Sequence, residues 1–432
     1  MLLTGPWSAS GLIAVDEQAY LAREIRRRVP RRASLTTATL IEAEHGHASQ
    51  ASAWGAVYAM TLCTFVLVAS EFMPVSLLSP IAADLRLSTG QTGQAIAISG
   101  LFAMIASLSL GRLINGIDRR LVLLGLTALL IVSGAVVACA PSYAMLMLGR
   151  AVLGIAIGGF WSMSAAIAMR LVPAEAVPKA LAMLNGGNAL ATVIGAPLGS
   201  FLGGLIGWRG AFFCVVPIAI AATAWQALAL PSLPAERRVG GRGMVVLLRR
   251  RTVLLGLAGA VLLFMGQFAL YTYLRPFLEQ VTRVGLGTLS TLLLVVGVAG
   301  FIGTTLIGRL IGRRLHLLLA AIPAIMALVA VGLAIFGTSA AIVAVLLAVW
   351  GFVATAAPVG WWTWLTRAAP DHPEAGGGLM VAVVQFAIMS GATIGGLAYD
   401  AAGPSTEFLG CAAILSAAAA VALFCGTDRA AA

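Results

Sequence analysis

The chain has 432 residues, of which 60% are hydrophobic and only 10% are charged, and its mean hydropathy is +0.99. This composition excludes a soluble globular domain of such length and indicates an integral membrane protein. The net charge is +11 at pH 7. We attribute it to a bias of basic residues toward one membrane face and to contact with anionic lipid headgroups, and we expect no nucleic-acid partner.

Twelve long apolar runs follow one another along the chain, each of about 18 to 27 residues. A helix needs about 20 residues to cross the ~30 Å hydrocarbon core of a bilayer, and a helix satisfies its own backbone amides within lipid. The sequence therefore predicts an all-α integral membrane protein with twelve transmembrane helices. The predicted spans cover residues 54–79, 94–111, 121–140, 144–168, 180–206, 211–230, 252–274, 288–311, 315–337, 340–365, 376–399 and 408–425.

Basic residues are distributed unevenly between the two faces of this predicted topology. An even number of spans places both termini on one side, and 22 of the 27 Lys and Arg residues lie on that side. Arg86, Arg209, Arg275 and Arg283 lie on the opposite side, and Arg150 lies within a span. Because cytoplasmic loops carry the excess of basic residues, we expect both termini in the cytoplasm. Arg275 is expected at the outer interface, where a long side chain reaches the headgroups at low cost.

The polar stretch 231–251 divides the spans into two sets of six, and the two sets repeat each other at an offset of 197 positions. The matched pairs are Gly100 and Gly297, Gly154 and Gly351, Arg170 and Arg367, Pro173 and Pro370, Gly199 and Gly396, and the GRLI sequences at 111–114 and 308–311. Two six-helix halves of the same topology, with a substrate site between them, are typical of secondary transporters. We therefore expect a cytoplasmic tail at 1–53, six-helix halves at 54–230 and 252–425, a cytoplasmic central loop at 231–251 and a cytoplasmic C-terminus at 426–432.

The first span carries a glutamate, Glu71, within the sequence LVASEFMPVSLLSP. An ionisable group inside a span costs roughly 2.5–3.5 kcal/mol on insertion scales, so a functional role is the default interpretation. Glu71 precedes Pro80 by about nine residues, or roughly 13 Å, and Arg150 follows Tyr143 by about seven, or roughly 10 Å. The hypothesis is that Glu71 carries a transported proton and that Arg150 adjusts its proton affinity. The alternative is a permanent structural ion pair, or side chains that reach the headgroups.

Three glycine-rich motifs stand on or beside the spans. They are GRLINGIDRR at 111–120, RAVLGIAIGG at 150–159 and GAPLGSFLGG at 195–204. Together they resemble the signature motifs of the major facilitator superfamily and, within it, of the drug:proton antiporters, with Asn115 in place of an aspartate and Asp118 in place of a glycine. The resemblance implies gating roles for Gly111, Asn115, Asp118, Arg119, Arg120, Gly195, Pro197 and Gly199. Small residues four apart also let helices approach closely, so plain packing remains the alternative.

Other segments carry a closer resemblance. EFMPVSLLSP, GGFWSMSA, MRLVP, VPKAL, GQFALYTYLRP and PVGWWTWLTR resemble segments of the bacterial purine ribonucleoside efflux pumps. The resemblance implies a protein of the bacterial inner membrane that exports nucleosides such as inosine and guanosine, and purine analogues, in exchange for protons. An exporter of sugars or drugs on the same scaffold is the alternative, and a membrane sensor that does not transport is a third function class.

A purine ribonucleoside presents a stacking face, hydrogen-bonding edges and ribose hydroxyls, so its site is expected to use aromatic and amide side chains. Gln267 and Tyr271 are four residues apart and share one helix face. The full set of predicted substrate-binding candidates is Trp161, Asn185, Asn188, Gln267, Tyr271, Trp362 and Gln385. Each tryptophan has a packing or interfacial role as its alternative.

Other chemistries find little support in the residues. The single lysine, Lys179, follows a proline and lies in no glycine-rich phosphate-binding loop, so no ATPase is predicted. The four histidines lack the paired spacing of metal ligands, and the five cysteines stand in apolar runs without a CxxC motif. We expect no enzyme activity, no cofactor, no metal, no secretory signal in the first 53 residues and a monomeric protein.

Overall fold

The computed structural model describes residues 53–114, 116–234, 242–371 and 373–424. The predictions for the N-terminal tail, for Asn115 and for the C-terminus at 426–432 therefore lie outside the described residues. The side chains at 111, 112, 242, 308–313, 373 and 374 are also outside this description.

The described chain is helical nearly throughout, and the helices follow one another through short connections. In chain order they are α1 Trp54–Leu85, α2 Thr89–Leu113, α3 Arg119–Ala138, α4 Tyr143–Leu171, α5 Val177–Phe213, α6 Val215–Ala229, α7 Arg242–Leu248, α8 Arg251–Gln280, α9 Leu286–Phe336, α10 Ala340–Ala354, α11 Ala357–Ala368 and α12 Pro373–Phe424. A 3₁₀ turn, Ala174–Ala176, precedes α5. The prediction of an all-α membrane architecture is confirmed.

Ten helical stretches of the described residues are long and apolar enough to cross a membrane. Two of them, Ala174–Ala229 and Ala375–Phe424, contain 56 and 50 residues, which is about 84 and 75 Å at 1.5 Å per residue and far exceeds one crossing. Each is interrupted by a glycine with positive φ, Gly207 (φ 74°) and Gly403 (φ 81°). Glycine tolerates this non-helical conformation, which divides each stretch into two helical parts. Each stretch is therefore long enough to accommodate two crossings. The arrangement is consistent with the twelve predicted spans.

The second half of the chain contains two further interruptions of helical geometry. The long helix α9 departs from helical geometry at Arg314, the first residue of the span Arg314–Phe336, which follows the span Leu286–Ile307. Helices α10 and α11 meet end to end at Thr355 and together form the span Ala340–Ala368.

The predicted internal repeat reappears in the contacts between helices. A β-carbon on Gly154 would collide with the Ser99 carbonyl of α2, and one on Gly351 would collide with the Val296 carbonyl of α9. Gly154 and Gly351 are 197 positions apart, and so are their contact partners Ser99 and Val296. The same holds for Gly199, which packs against Ser76, and for its repeat partner in α12, which packs against Tyr273. The repeated contacts support the proposed division into a first half, α1–α6, and a second half, α8–α12.

The two halves meet through α2 with α12 and through α5 with α9. At the end of the bundle where α1 ends and α2 begins, which we term the distal end, the Asp400 carboxylate of α12 accepts hydrogen bonds from Ser88 Oγ at 2.6 Å and from Gly90 N at 2.9 Å. Deeper in the bundle, Gly297 of α9 lies against the Val193 backbone of α5. The opposite end, which carries the α2–α3 turn and residues 231–234, is termed the proximal end.

Close packing of α4 on α2 gives a first test. A β-carbon on Gly158 would collide with the Ala103 carbonyl of α2, and overpacking of a tight core costs about 1–3 kcal/mol. We expect Gly158→Val to lower the thermal unfolding temperature of the detergent-solubilised protein. Gly125→Val of α3 is the control, because a β-carbon there meets open space. Equal melting temperatures for the two variants would contradict this view of the α2–α4 contact.

Candidate functional site

Helix α1 has two interior prolines, Pro74 and Pro80. Proline has no backbone N–H, so the carbonyl four residues before it loses its helical hydrogen-bond partner. These carbonyls belong to Ser70 and Ser76. Arg150 Nη1 of α4 donates to the Ser70 carbonyl at 2.8 Å. Arg275 Nη1 of α8 donates to the Ser76 carbonyl. Arginines from other helices thus satisfy both interrupted positions of α1.

Arg150 is completely buried and donates four hydrogen bonds. Besides the bond to Ser70, its Nε donates to the Ala95 carbonyl at 2.8 Å, and Nη2 donates to the Glu71 carbonyl at 2.9 Å and to Ser99 Oγ at 3.0 Å. A buried guanidinium needs such partners because its desolvation is costly. The side chain therefore joins α4 to both α1 and α2.

Glu71 lies beside Arg150, but their side chains do not form a direct ion pair. The guanidinium donates to the Glu71 backbone carbonyl, whereas the carboxylate Oε1 accepts a hydrogen bond from Gln385 Nε2 of α12 at 3.2 Å. Glu71 is only 4% exposed. Because α1 continues to Leu85, Glu71 lies about 21 Å from the distal end of its helix at 1.5 Å per residue, deeper than the sequence predicted. The contact with Gln385 places the carboxylate between the two halves.

An aromatic cluster adjoins Glu71. Phe72 of α1 stacks on Phe268 of α8 with ring centroids 5.5 Å apart, and Tyr271 meets both rings edge-on at 6.4 Å. Tyr271 was predicted from the sequence, whereas Phe72 and Phe268 were not. Their positions next to candidate site residues could have identified them, since Phe72 follows Glu71 and Phe268 follows Gln267. The cluster joins the two halves beside the carboxylate.

Two amide oxygens lack donors within the part of the chain that the structure describes. They are Gln267 Oε1 and Gln385 Oε1, and both atoms are buried. Leaving a buried acceptor unpaired costs roughly 1–3 kcal/mol, so such an atom is suited to a donor supplied by a ligand.

The other predicted substrate-binding residues are distributed over α4, α5 and α11. Trp161 is half-buried and packs edge-on against Phe160 at 6.1 Å. Asn185 is exposed and donates to the Leu181 carbonyl of its own helix, whereas Asn188 is half-buried. Trp362 is 40% exposed. No described contact joins these four residues to Glu71, and their roles remain predictions.

The predicted gating loop lies at the proximal end. Asp118 caps α3 by accepting from Arg120 N at 2.8 Å, and it also accepts from Ser232 Oγ at 2.6 Å and from Leu233 N at 3.0 Å. These bonds, that from Ser232 first, hold the pKa of the Asp118 carboxyl below its usual value. Arg119 Nη1 donates to a carbonyl at the end of α2, and Arg120 Nη2 donates to one of α6. The loop therefore ties the α2–α3 turn to the start of the central segment.

The predicted glycine–proline motif of α5 packs against α1. Gly195 lies against the Ala69 backbone, and Gly199 lies against Ser76 Oγ. Pro197 removes the helical partner of the Val193 carbonyl, and this carbonyl is the one that adjoins α9 of the other half.

The position of Arg275 corrects one expectation. This side chain was predicted at the outer interface, but it is only 6% exposed. It donates through Nη1 to the Ser76 carbonyl and through Nε to Glu279 Oε1 at 2.8 Å. The reason is that α8 continues past Pro276 to Gln280, which keeps the guanidinium inside the bundle against α1.

The fold and this buried polar centre define a multi-pass membrane transporter. Residues 60–388 match the model of the Major Facilitator Superfamily. The match covers well over half of the chain, and the protein belongs to this superfamily.

Two curated relatives carry different names. The chain is 53% identical over 398 residues to the transcription regulatory protein OpdE of Pseudomonas aeruginosa, covering 91% of this chain and 99% of the relative. It is 42% identical over 347 residues to the purine ribonucleoside efflux pump NepI of Salmonella paratyphi B, covering 80% of this chain and 87% of that protein.

Solved structures agree on the fold. A bacterial homologue of the human lysosomal transporter Spinster, in an inward-facing and unoccupied conformation, superposes with a TM-score of 0.69 at 15% identity. It covers 86% of this chain and 96% of its own. The human organic anion transporter MFSD10 gives a TM-score of 0.64 at 18% identity and covers 86% and 99%.

The Arg150 contacts give a second test. Lysine lacks the planar fork of donors, and each hydrogen bond to a charged group contributes about 1.5–3 kcal/mol. We expect Arg150→Lys to lower thermal stability in detergent, while Arg367→Lys, on an exposed position of α11, leaves it unchanged. Adding Pro74→Ala to Arg150→Lys supplies an amide for the Ser70 carbonyl and should recover part of the loss. If the double variant is no more stable than Arg150→Lys, the proposed pairing of proline and arginine is wrong.

Proposed function

We propose that this transporter exports purine ribonucleosides, such as inosine and guanosine, and purine analogues from the cytoplasm in exchange for protons. Its relatives include NepI, which is named as a purine ribonucleoside efflux pump. The single observation that carries the proposal is the contact of Glu71 with Gln385, because it places a buried carboxylate between the two halves of a transporter. An intramembrane carboxylate at such a position is suited to carry a proton.

In this proposal Glu71 is the proton carrier. Arg150 holds the backbone of α1 through the Glu71 and Ser70 carbonyls, so it fixes the position of the carboxylate without neutralising it directly. In this proposal the nearby positive charge of Arg150 also adjusts the proton affinity of Glu71. The carboxylate can therefore bind and release a proton, and it can break its hydrogen bond with Gln385 as the halves move.

The purine is bound beside this carboxylate. Tyr271 and the adjoining phenylalanines Phe72 and Phe268 offer aromatic faces for stacking, and the unpaired amide oxygens of Gln267 and Gln385 offer acceptors. Trp161, Asn185, Asn188 and Trp362 extend the proposed cavity surface.

Alternating access exposes this site first to one side and then to the other. In the proposal, the loop residues Asp118, Arg119 and Arg120 brace the proximal end, and the α5 motif with Pro197 forms a pivot against α1 and α9. Both termini are cytoplasmic, the protein lies in the bacterial inner membrane among its lipids, and it acts as a monomer. The distribution of basic residues supports this orientation.

A regulatory role without transport is the second candidate. The observation that favours it is the name of the Pseudomonas aeruginosa relative, a transcription regulatory protein. A sugar or drug exporter on the same scaffold is the alternative within the transporter class.

Transport into inverted membrane vesicles tests the proposal. With an acid-inside proton gradient we expect wild-type protein to accumulate radiolabelled inosine. We expect Glu71→Gln to lose this accumulation, because a carboxamide does not ionise and cannot take up and release the transported proton. Glu71→Gln should retain exchange of inosine for inosine without a gradient. Glu175→Gln, at an exposed position, is the control and should transport normally.

Three outcomes are decisive. Gradient-driven accumulation by Glu71→Gln would reject Glu71 as the proton carrier. Absence of inosine transport by correctly inserted wild-type protein, with transport of a sugar or drug instead, would replace the substrate class. Absence of transport of all three classes would favour the regulatory candidate.

A further inference from the structure

The hydrogen bond between Gln385 and Glu71 has an unusual property. A carboxamide contains two N–H donors and one oxygen acceptor, and its orientation decides which of them faces a neighbour. Here Gln385 Nε2 faces Glu71 Oε1, which leaves Gln385 Oε1 buried and without a donor among the described residues. Gln385 is 5% exposed. The amide is therefore half satisfied, and its free half is an acceptor.

The orientation of this amide depends on the proton on Glu71. An ionised carboxylate can only accept, so it requires the Nε2 side of Gln385. A protonated carboxyl has an O–H donor, which can satisfy Oε1 when the amide reverses. Protonation thus allows the amide to reverse, and reversal gives the buried Oε1 a donor. The reversed amide then offers N–H donors on its other side instead of an acceptor.

The surroundings of Glu71 single out this carboxylate as the group that faces the amide. From α4, Arg150 donates to the Glu71 backbone, and from α8 the titratable Tyr271 lies behind Phe72. The groups described from α2 and α5 at this level are neutral: the Ala95 carbonyl and Ser99 Oγ accept hydrogen bonds from Arg150, and Gly195 lies against Ala69 of α1. No second carboxylate is among these described neighbours.

We propose that Gln385 reads the protonation state of Glu71 and converts it into a choice between 6-oxopurine and 6-aminopurine nucleosides. This inference rests on the proposed function. With Glu71 ionised, Oε1 accepts the ring N1–H of a 6-oxopurine such as inosine. With Glu71 protonated, the reversed amide presents N–H groups, which oppose N1–H and instead match the N1 acceptor of a 6-aminopurine such as adenosine. Proton uptake by Glu71 therefore expels the 6-oxopurine.

The test measures binding of radiolabelled inosine and adenosine to the full-length protein in lipid nanodiscs, from about pH 4 to about pH 8, a range that spans the titration of both exposed and buried carboxyl groups. For wild type we expect the ratio of inosine to adenosine affinity to fall by about tenfold or more on acidification, because a donor–acceptor pair is replaced by two opposed donors. For Gln385→Met, which preserves side-chain length without the amide, the ratio should vary by less than about twofold over the same range, since neither hydrogen-bonding pattern is available.

A matched control is available at the same interface. Gln94 of α2 also contacts α12, where its Oε1 accepts from Thr393 Oγ1 at 3.2 Å, but it does not contact Glu71. Gln94→Leu should preserve the wild-type dependence of the affinity ratio on pH. If Gln385→Met does not assemble, Gln385→Leu takes its place with the same expectation.

A second readout separates proton sensing from a merely structural role. Inosine binding at a pH within the titration of Glu71 should release protons from wild-type protein, detected with a pH-sensitive dye in weak buffer, and release should be lost in Gln385→Met. The inference would be overturned if the Gln385 variants kept both the wild-type pH dependence of the inosine-to-adenosine affinity ratio and the wild-type proton release. The proposed function would then remain intact. Absence of binding of either nucleoside by wild type would overturn both.

Discussion

The buried guanidinium of Arg150 is the constraint on which the described centre depends. Pro74 deprives the Ser70 carbonyl of its helical donor, and burying the charged arginine without acceptors would be more costly still. The Ser70 carbonyl supplies an acceptor for Arg150, and Arg150 supplies the donor that the Ser70 carbonyl lacks. The result is a fixed junction of α1, α2 and α4, in which the backbone of Glu71 is held while its carboxylate stays available to the opposite half.

The second proline of α1 uses the same chemistry with a different consequence. The Ser76 carbonyl freed by Pro80 is bound by Arg275, which belongs to the other half of the protein. The bond to Arg150 is internal to one half and can persist while the halves move. The bond to Arg275 has to break if they separate, and Glu279 then remains as the partner of that arginine. One helix thus contains both a permanent and a separable junction.

Much of the architecture could be predicted from the sequence because hydropathy and glycine spacing are local signals. The runs of apolar residues indicated the spans, and the offset of 197 placed Gly154 and Gly351 in equivalent contacts. The cost of burying a charge singled out Glu71 and Arg150 in the sequence, and the structure places their helices side by side. Their particular hydrogen bonds could not be predicted from the sequence, because partners such as Glu71 and Gln385 are 314 positions apart. The burial of Arg275 was missed for a similar reason, since it depends on α8 continuing beyond Pro276 and on which helix lies opposite.

The position of Asp400 has a consequence for the energetics of opening. Its carboxylate supplies the cap for the first turn of α2, a helix that belongs to the other half. At the rim of the bundle, water can replace a departing carboxylate at once, so the uncapped amides of α2 lose little when the contact breaks. The deep bond between Glu71 and Gln385 has no such substitute until the interior becomes hydrated. The rim is therefore suited to open first, and admission of water from that side would then lower the barrier to separating the centre.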